Sequence, residues 1–438
     1  MSDNKQLYRI LEQRLPASDK RRLVLLTGAR QTGKTTLAKA KYTGMRYINL
    51  DAPENRDVVR TVASSLWTRD IGPAILDEAQ KEPIIFDKVK FAYDDGSLLF
   101  SILLGSSQIL LLKKIRETLA GRVSIFELWP LMMCEIFNDS EVAQAEPPLV
   151  DNLFSSMSCD DIFGNQPGLL LDGEDSLRRR AQDYVLQWGG MPALIVLTAE
   201  ERRQWLKDYE YTYLERDVAD LARLDDLMPF RKFQRLAALR SGCLLNYTEL
   251  ARDAAVSVDT ARRYLEYLRL SYQTVVLPPY HSNLTSTVIK TPKTYWLDIG
   301  LLRHLTGVQE SVTGEIYESM VVAELVKWMK TMGRDGDLYF YRTRSGLEVD
   351  ILLESPAGII GMEIKSRRVL ANKDTTGLKE IASALGKRWR GGIIIYSGNE
   401  IKRVAMPQIW AVPSHRLFTS TKKNTSVPTL IIDNRVTS

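Results

Sequence analysis

The fold of the N-terminal region is decided by the stretch Gly28-Ala29-Arg30-Gln31-Thr32-Gly33-Lys34-Thr35-Thr36. It matches the phosphate-binding pattern GxxxxGK[ST] without a mismatch and directly follows an apolar run at residues 23–27. Glycines let the backbone aim its N–H groups at phosphate oxygens, and a following helix adds the positive end of its dipole. We therefore predict that this whole stretch binds ATP. Lys34 is expected at the β- and γ-phosphates, and the Thr35 hydroxyl is expected to ligate Mg²⁺.

A second short apolar run, at residues 74–76, ends on the acidic pair Asp77-Glu78. An aspartate at the end of a buried strand is suited to hold Mg²⁺ through water, and this is the metal-binding role predicted for Asp77. Glu78 is predicted to be catalytic, because a carboxylate beside the metal can polarise the attacking water. This second carboxylate favours ATP hydrolysis over simple nucleotide storage.

Two further catalytic roles are predicted around the nucleotide. The apolar run at residues 98–104 is followed by Ser107, which is placed to sense the γ-phosphate, with Gln108 as the alternate. A charge-stabilising arginine, from the same chain or from a neighbouring copy, is predicted at Arg122 or at Arg216.

The order of apolar and amphipathic segments predicts an α/β class with several units. Strand-like runs alternate with helical ones, such as residues 86–93, which is typical of a parallel sheet covered by helices. Acidic, Ser- and Pro-containing sequence then predicts an irregular insertion, followed by a mostly helical region. The predicted boundaries are 1–137 for the nucleotide-binding core, 138–183 for the insertion, 184–310 for the helical region, 311–415 for a second α/β unit and 416–438 for a tail.

The helical region contains a helix-turn-helix pattern. Residues 247–253 are predicted as a short helix, and residues 256–258 as a turn. Residues 259–268 are predicted as a second helix that Asp259 caps. A strand at residues 274–277 would follow as the wing of a winged helix.

The second α/β unit carries a carboxylate–lysine constellation. Alternation along a strand places Glu363 and Lys365 on one face, and a hairpin at 355–358 can bring Asp350 beside them. Two such carboxylates are predicted to bind Mg²⁺, with the lysine as a catalytic group that orients water. A helix upstream offers Glu318 or Glu324 as a further carboxylate. An exposed hairpin with ordinary charge pairing is the alternative.

Bulk composition fits a protein of two or three domains. The chain has 438 residues, of which 45% are hydrophobic and 26% charged, and a net charge of +5. Its three cysteines are far apart, which fits a reducing compartment and suggests neither disulfides nor zinc. The polar N-terminus and the lack of a long apolar run predict a cytoplasmic location without a membrane partner.

In order, these motifs resemble prokaryotic AAA-type ATP-binding proteins that have a winged-helix middle region and a PD-(D/E)XK-nuclease-like C-terminal domain. The resemblance rests on the motifs above and on five shorter pieces, at 49–51, 119–122, 213–217, 293–301 and 342–343. It implies a P-loop parallel sheet, then a helical and winged-helix domain, then a small restriction-endonuclease-like α/β domain. The long insertion and Val349 in place of a proline depart from the family pattern.

A nucleic-acid partner is predicted from basic residues, with DNA favoured over RNA as the alternative. Arg262, Arg263 and Arg269 lie on or near the predicted second helix, and basic clusters lie at 365–368 and 387–390, where Trp389 could stack on a base. The leading hypothesis is an ATP-driven machine for DNA processing or defence. The alternatives are a nucleotide-toggled signalling switch with a non-catalytic docking domain and, with little weight, a helicase. Whether the acidic site cleaves, and whether the chain forms a homo-oligomer, is left open.

Overall fold

The structure, a computed structural model, describes residues 7–105, 118–136, 146–170, 173–214, 227–280 and 290–420. Its N-terminal unit is built on a five-stranded parallel sheet. In this sheet the strand order is β2-β3-β4-β1-β5. The strands are β1 (Arg22–Thr27), β2 (Arg46–Asn49), β3 (Ala74–Asp77), β4 (Phe100–Gly105) and β5 (Val123–Glu127).

Helices cover both faces of this sheet. They are α1 (Lys34–Lys41), α2 (Pro53–Thr61), α3 (Trp67–Asp70) and α4 (Ile84–Asp94). Successive residues of β1 belong to different cores: Leu23 and Leu25 pack with α4, whereas Val24 and Leu26 pack with α1. A strand buried on both faces reads as a continuous apolar run, which is why β1 and β3 could be recognised in the sequence. The predicted P-loop sheet is confirmed.

The middle region is mainly helical, as predicted. Three of its helices are followed by a two-stranded antiparallel sheet, β6 (Thr274–Leu277) and β7 (Lys293–Trp296). Its helices are α5 (Cys159–Phe163), α6 (Gly173–Trp188), α7 (Ala199–Tyr209), α8 (Met228–Leu239), α9 (Tyr247–Ala254), α10 (Val258–Leu270) and α11 (Ile299–Thr306).

Two details of this region differ from the sequence predictions. Helix α10 begins at Val258, so its cap is Ser257, whose hydroxyl accepts the N–H of Thr260 at 3.1 Å, and not Asp259. The stretch 138–183 is not irregular throughout, because its described part includes α5 and the start of α6. Ser158 and Asp161 cap α5 reciprocally, so the Ser- and Asp-rich composition there marks a helix start instead of a loop.

The C-terminal unit is a six-stranded mixed sheet in the order β12-β13-β11-β10-β9-β8. Helix α12 (Gly314–Met332) packs on one face and α13 (Thr376–Leu385) on the other. The remaining elements are β8 (Asp337–Arg342), β9 (Glu348–Ser355), β10 (Gly358–Lys365), β11 (Trp389–Tyr396), β12 (Lys402–Ala405), β13 (Ile409–Pro413) and α14 (Ser414–Phe418). The strands predicted at 338–341, 348–353, 359–364 and 392–396 lie within β8 to β11.

Short helical turns connect these elements, and one large core joins the units. The core that contains Trp129 and Leu131 continues through the middle region to α12 and to Ile395 of β11. No helix in the described ranges is long and apolar enough to span a membrane. The 3₁₀ turns are Ile10–Gln13, Ser64–Leu66, Ala79–Lys81, Met133–Glu135, Leu149–Phe154, Pro192–Val196, Asn372–Thr375 and Gly386–Arg388, and a π turn is Glu210–Leu214.

Candidate functional site

The stretch from Gly28 to Thr36 forms the loop between β1 and α1, which we call the phosphate loop. Gly28 has φ of +150°, and a Cβ there would lie 2.1 Å from the carbonyl oxygen of Leu128. Gly33, with φ of +92°, is the N-cap residue of α1, so the helix begins at Lys34. Only glycine tolerates this approach and this conformation without strain. The result is a set of N–H groups and a helix N-terminus at the carboxyl end of β1, which is an anion-binding arrangement.

Lys34 is buried at the base of the phosphate loop. Its ammonium donates to the carbonyl oxygens of Gly28, at 3.0 Å, and of Ala29, at 2.7 Å. These bonds keep the positive charge inside the loop, where a triphosphate would supply stronger, charged acceptors.

Asp77 links the end of β3 to the phosphate loop. Its Oδ2 accepts hydrogen bonds from the hydroxyls of Thr35, at 2.7 Å, and of Tyr47, at 2.9 Å. Hydroxyl and carboxylate oxygens are ligands that Mg²⁺ prefers, so Thr35 and Asp77 fit the metal that accompanies a triphosphate. Tyr47 was missed by sequence reasoning. Burial, followed by the hydrogen bond to Asp77, raises its pKa well above the usual range.

Glu78 follows Asp77 at the carboxyl edge of the sheet. Its backbone is left-handed, with φ of +53°, which is uncommon for a residue with a side chain. The amide of Gln80 donates to its carboxylate. This turn holds the Glu78 carboxylate at the strand end from which Asp77 reaches Thr35.

A buried arginine far from any motif supports the phosphate loop. Arg9 donates to the carbonyl oxygens of Thr32 and Trp129, each at 2.6 Å, and to Oε1 of Glu135 at 3.3 Å. Glu135 also accepts the N–H of Ile10 at 2.8 Å. Because the loop turns its N–H groups inward, its carbonyls need outside donors, and Arg9 supplies one of them. Nothing in the local sequence of Arg9 signals this role.

Two tyrosines of the middle region also contact the nucleotide-binding unit. The hydroxyl of Tyr272 donates to Oγ1 of Thr27 at 3.2 Å, directly before the phosphate loop. Its ring packs edge-on against Trp129, with centroids 5.0 Å apart. The hydroxyl of Tyr209 donates to the carbonyl oxygen of Arg30 at 3.2 Å. The middle region therefore contacts the loop and does not merely follow it in sequence.

The structure does not support Arg122 as an arginine that acts on the ATP of its own chain. Arg122 precedes β5, and the register pairs Leu23 with Val123, so it lies at the edge where β1 starts. The phosphate loop lies at the other end of β1. The guanidinium of Arg122 instead pairs with Asp94 at 2.6 Å. Action on a neighbouring copy stays a prediction, and Ser107, Gln108 and Arg216 lie outside the described residues.

In the C-terminal unit, Asp350, Glu363 and Lys365 come together. The β9–β10 ladder ends at the pair Ile351–Met362, and beyond it Oδ2 of Asp350 accepts the N–H of Ile364 at 2.7 Å. The ammonium of Lys365 lies 2.5 Å from Oε1 of Glu363. Hairpin register therefore places the three side chains as the sequence pattern requires.

Two residues that sequence reasoning did not select join this group from β7. Lys293 is 4% exposed, and its ammonium lies 2.7 Å from Glu348 and 3.2 Å from Glu318. The hydroxyl of Tyr295 donates to the same oxygen of Glu318 at 2.6 Å. Alternation on β7 puts both side chains on one face. We call Glu318, Glu348, Asp350 and Glu363, with Lys293, Tyr295 and Lys365, the acidic cluster.

Burial and mutual repulsion shape the charges of the acidic cluster. Burial, and then the charges of Glu363 and Glu318, raise the pKa of Asp350 well above its usual range. Burial also raises the pKa of Glu363, although Lys365 opposes it. Burial disfavours the charge of Lys293, but Glu318, Asp350 and Glu348 outweigh it and raise its pKa. Carboxylates that repel one another in this way are a donor set that a divalent cation would relieve.

The metal ligands of the acidic cluster would be few. In the part of the chain that the structure describes, no three His, Cys, Asp or Glu side chains are grouped so that they hold one ion by themselves. Water or a phosphate would have to complete the coordination of Asp350 and Glu363. Glu324 is not a further ligand, because it faces away and binds the N–H of Met133, at 2.8 Å, and Lys327.

Part of the basic cluster at 387–390 is structural, which corrects the assignment of Arg390 to nucleic acid, whereas Lys387 and Arg388 are exposed and Arg388 pairs with Glu354. Arg390 is buried and donates to the carbonyl oxygens of Leu153, at 3.1 Å, and Met157. The indole of Trp389 donates to the carbonyl of Pro407 at 3.1 Å, and its ring lies over Gly361. Arg390 thus holds the segment that contains Leu153 and Met157 against β11, and Trp389 packs against Gly361 of β10.

The arginines of α10 keep more freedom. Arg262 stacks over the ring of Tyr247, and Arg269 pairs with Glu266 at 2.6 Å. Arg263 reaches the hydroxyl of Thr260 at 3.3 Å. These contacts lie at the surface, so the three guanidiniums stay accessible to an anionic partner.

The parallel sheet, the phosphate loop and the strand-end acidic pair together define a P-loop NTPase domain. Residues 20–137 match a family model described as "AAA domain", so this part of the chain is similar to domains of the AAA type. Two other models match residues 179–312 (DUF8612) and 313–417 (DUF4143), and both are described as domains of unknown function.

Relatives with similar sequences exist in mycobacteria. The chain is 28% identical over 353 residues to the uncharacterized protein Rv2008c of Mycobacterium tuberculosis, and equally to Mb2031c of Mycobacterium bovis. The match covers 78% of this chain and 70% of each relative. Among solved structures, the Walker-type ATPase PABY2304 of Pyrococcus abyssi is 16% identical, with a TM-score of 0.39, over 67% of this chain and 94% of its own. Protein VC1899 of Vibrio cholerae is 12% identical over 85% and 88%, with a TM-score of 0.17, and neither likeness bears on activity.

Proposed function

We propose that this chain binds Mg·ATP at the phosphate loop and hydrolyses it. The observation that carries the proposal is the 2.7 Å hydrogen bond between Thr35, at the start of α1, and Asp77, at the end of β3. It brings the two expected metal ligands together beside the loop that holds Lys34. Such a junction of helix start and strand end is where a P-loop domain holds the metal and the phosphates.

Each side chain has a defined part in this reaction. The N–H groups of the loop and Lys34 would hold the phosphates, and Lys34 would exchange the carbonyls of Gly28 and Ala29 for phosphate oxygens. Mg²⁺, when bound, supplies charge that stabilises the β- and γ-phosphates. Glu78 would accept a hydrogen bond from the attacking water, which places the water in line with the γ-phosphate.

The direct test measures both steps with purified protein. ATP binding is measured by fluorescence of a labelled analogue, and phosphate release by a colorimetric assay. Wild type should bind and turn over ATP in Mg²⁺, whereas Glu78→Gln should bind it but release almost no phosphate. A wild-type chain that binds ATP and never releases phosphate would exclude hydrolysis and favour a nucleotide-toggled switch.

The second part of the proposal concerns the acidic cluster, which we infer to be a metal-dependent nuclease site that acts on DNA. The hairpin arrangement of Asp350, Glu363 and Lys365, with Glu318 from the preceding helix, supports this inference. The three-helix and two-strand order of the middle region, which suits a winged helix, and the accessible arginines of α10 support a nucleic-acid partner.

The chemistry of that site follows from its charges. Asp350 and Glu363 would hold a divalent ion, which supplies the charge that activates water and offsets the negative phosphodiester. Lys365, whose pKa is raised because Glu363 and Asp350 outweigh its burial, stays protonated near neutral pH. A protonated lysine there orients a water or stabilises negative charge on the phosphorane. It is not suited to act as the base.

A cleavage assay separates this site from a docking surface. Linear and circular DNA are incubated with Mg²⁺ or Mn²⁺, with and without ATP, and wild type is compared with Glu363→Ala and with Glu354→Ala on the same hairpin. Cleavage that Glu363→Ala abolishes and Glu354→Ala keeps is the expected result. If wild type cleaves no DNA and DNA leaves ATP turnover unchanged, the chain is better described as an assembly or signalling switch.

A further inference from the structure

We propose that Lys293 is the internal counter-ion of the acidic cluster, and that it competes with a divalent ion for Glu318 and Glu348. The proposal rests on the metal-binding function inferred for the cluster and adds the residue that sets its affinity. It also makes the site composite, because Lys293 comes from β7 of the middle region and not from the C-terminal unit.

The position of Lys293 is fixed by its backbone. It is the first residue of β7, where it pairs with Leu277 of β6 and forms an isolated bridge to Leu244. Both partners belong to the middle region. From there the side chain runs across to the C-terminal unit, and its ammonium ends between Glu318 of α12 and Glu348 of β9. A lysine held on both sides of its strand has little freedom to point elsewhere.

Charge counting shows why the cluster needs this lysine when no metal is bound. Four carboxylates, on Glu318, Glu348, Asp350 and Glu363, face the ammonium groups of Lys293 and Lys365 and the guanidinium of Arg342, which lies 3.5 Å from Glu348. If all these groups are ionised, one negative charge is in excess, and a divalent cation would offset it. Without Lys293 the excess would be two, in a site where Asp350 and Glu363 are mostly buried. Buried carboxylates without a counter-charge are costly, so Lys293 stabilises the metal-free form.

The same charge opposes metal binding. A dication that reaches Asp350 and Glu363 would approach the ammonium of Lys293 through low-dielectric surroundings, where like charges repel strongly. Glu318 and Glu348 cannot serve fully as ligands or as hydrogen-bonded supports of a metal while Lys293 holds them. The lysine must therefore withdraw, or the metal must bind with weakened affinity.

Lys293 differs in this respect from Lys365. Lys365 pairs with Glu363 on its own strand and is part of the expected catalytic group. Lys293 contacts Glu318 and Glu348, which are not among the two carboxylates expected to bind the metal. Glu318 was considered only as a further carboxylate. Its removal is therefore expected to change metal affinity in the direction opposite to the loss of a ligand.

The test is a titration of the full chain with Mn²⁺, without nucleotide, followed by electron paramagnetic resonance of the free ion. Lys293→Met keeps the length and apolar stem of the side chain and removes its charge. It should bind Mn²⁺ ten- to a hundredfold more tightly than wild type, and its melting temperature in EDTA should be lower. Lys290→Met, an exposed lysine three residues earlier, removes the same charge outside the cluster and should leave both values unchanged.

Two further variants keep the result interpretable. Lys293→Arg retains the positive charge and should retain the wild-type Mn²⁺ affinity, which shows that any gain in Lys293→Met comes from charge and not from repacking. Adding Glu363→Ala to Lys293→Met should abolish the tight site. Equal or weaker Mn²⁺ binding by Lys293→Met, or binding by neither protein, would overturn the proposal. Tighter binding without any DNA cleavage would uphold it and reject the nuclease function.

Discussion

The phosphate loop and the acidic cluster are two sites of opposite charge, and in both of them the charged side chains are paired with groups of the protein itself. Lys34 donates to two backbone carbonyls of its own loop, and the carboxylates of Glu318 and Glu348 pair with Lys293. Each internal partner carries charge of the same sign as the expected ligand. The carbonyl oxygens are partly negative, like phosphate oxygens, and the ammonium is positive, like a metal ion.

The two sites differ in how strongly the internal partner binds the charged side chains. Carbonyl oxygens carry only partial charge, so a triphosphate displaces them readily from Lys34. The ammonium of Lys293 carries a full charge in buried surroundings and opposes the incoming cation directly. We therefore expect the phosphate loop to fill with Mg·ATP at ordinary concentrations, and the acidic cluster to need either high metal or a movement of β7.

The largest effect is expected at the phosphate loop. Lys34→Ala removes the full charge that faces the phosphates, and we expect ATP turnover to fall by more than about 100-fold, as for the loss of other preorganised transition-state donors. Phosphate release at saturating ATP is the measurement. Lys41→Ala, a half-buried lysine in the last turn of the same helix, is the matched control and should keep wild-type turnover. Normal hydrolysis by Lys34→Ala would mean that the site is elsewhere.

The next effect separates binding from chemistry. Glu78→Gln keeps the size and the hydrogen bonding of the side chain but removes its basicity, and we expect kcat to fall roughly 100-fold. Retained ATP should be detectable by filtration of the protein with labelled nucleotide. A parallel fall in affinity would contradict the division of roles between Lys34 and Glu78.

At the acidic cluster we expect a smaller effect, and it is a gain in stability instead of a loss of activity. Burial and Glu363 raise the pKa of Asp350, so its contribution to stability is present at low pH and is lost as pH rises above the unfolded value near 3.8. Asp350→Asn removes this penalty and should raise the free energy of unfolding in EDTA at pH 7.5 by about 1–2 kcal/mol. It should also abolish stabilisation by added Mg²⁺. Denaturant melts with and without metal give both values.

The pH dependence of that difference is a sharper form of the same prediction. Burial lowers the pKa of His415 to about 4, so His415 makes the wild type less stable as pH falls below about 6.5. This slope opposes that of Asp350. The stability of Asp350→Asn minus that of wild type, taken at each pH, cancels the His415 contribution and should grow from pH 5 to pH 8. A stability difference that does not change with pH would mean that the pKa of Asp350 is not raised in the folded protein.

The smallest effect is expected at the contact between the middle region and the nucleotide-binding unit. Tyr272→Phe removes the hydroxyl that donates to Thr27 but keeps the ring packed on Trp129. One neutral hydrogen bond is worth about 1 kcal/mol, so we expect the Kd for ATP to change by no more than about fivefold. Tyr267→Phe on α10 is the control. A change of several orders of magnitude would show that the middle region, and not the loop, determines nucleotide affinity.

Sequence reasoning succeeded where one short stretch contains the whole geometry. The phosphate loop is contiguous, and its glycines and the apolar strands β1 and β3 have a direct physical signature. The fold of the N-terminal unit followed from it. The capping of α5 by Ser158 was misread, because the same residue types favour turns and helix starts.

Sequence reasoning failed where the geometry is assembled from distant segments. Arg9 reaches the phosphate loop, and Lys293 reaches the acidic cluster, through tertiary packing that leaves no local pattern. Lysine and arginine are usually solvated, so residue type alone gives no reason to place either side chain in a buried site. Within the basic run at 387–390, Arg390 was misassigned for the same reason, since it is buried and donates to the carbonyl oxygen of Leu153.

The most direct measurement is calorimetry of Mg·ATP titrated into wild type, into Lys34→Ala, and into a double variant with Asp350→Asn and Glu363→Gln. Wild type and the double variant should bind one ATP with equal affinity, whereas Lys34→Ala should give no binding heat. Binding by Lys34→Ala, or loss of binding in the double variant, would contradict the assignment of ATP to the phosphate loop.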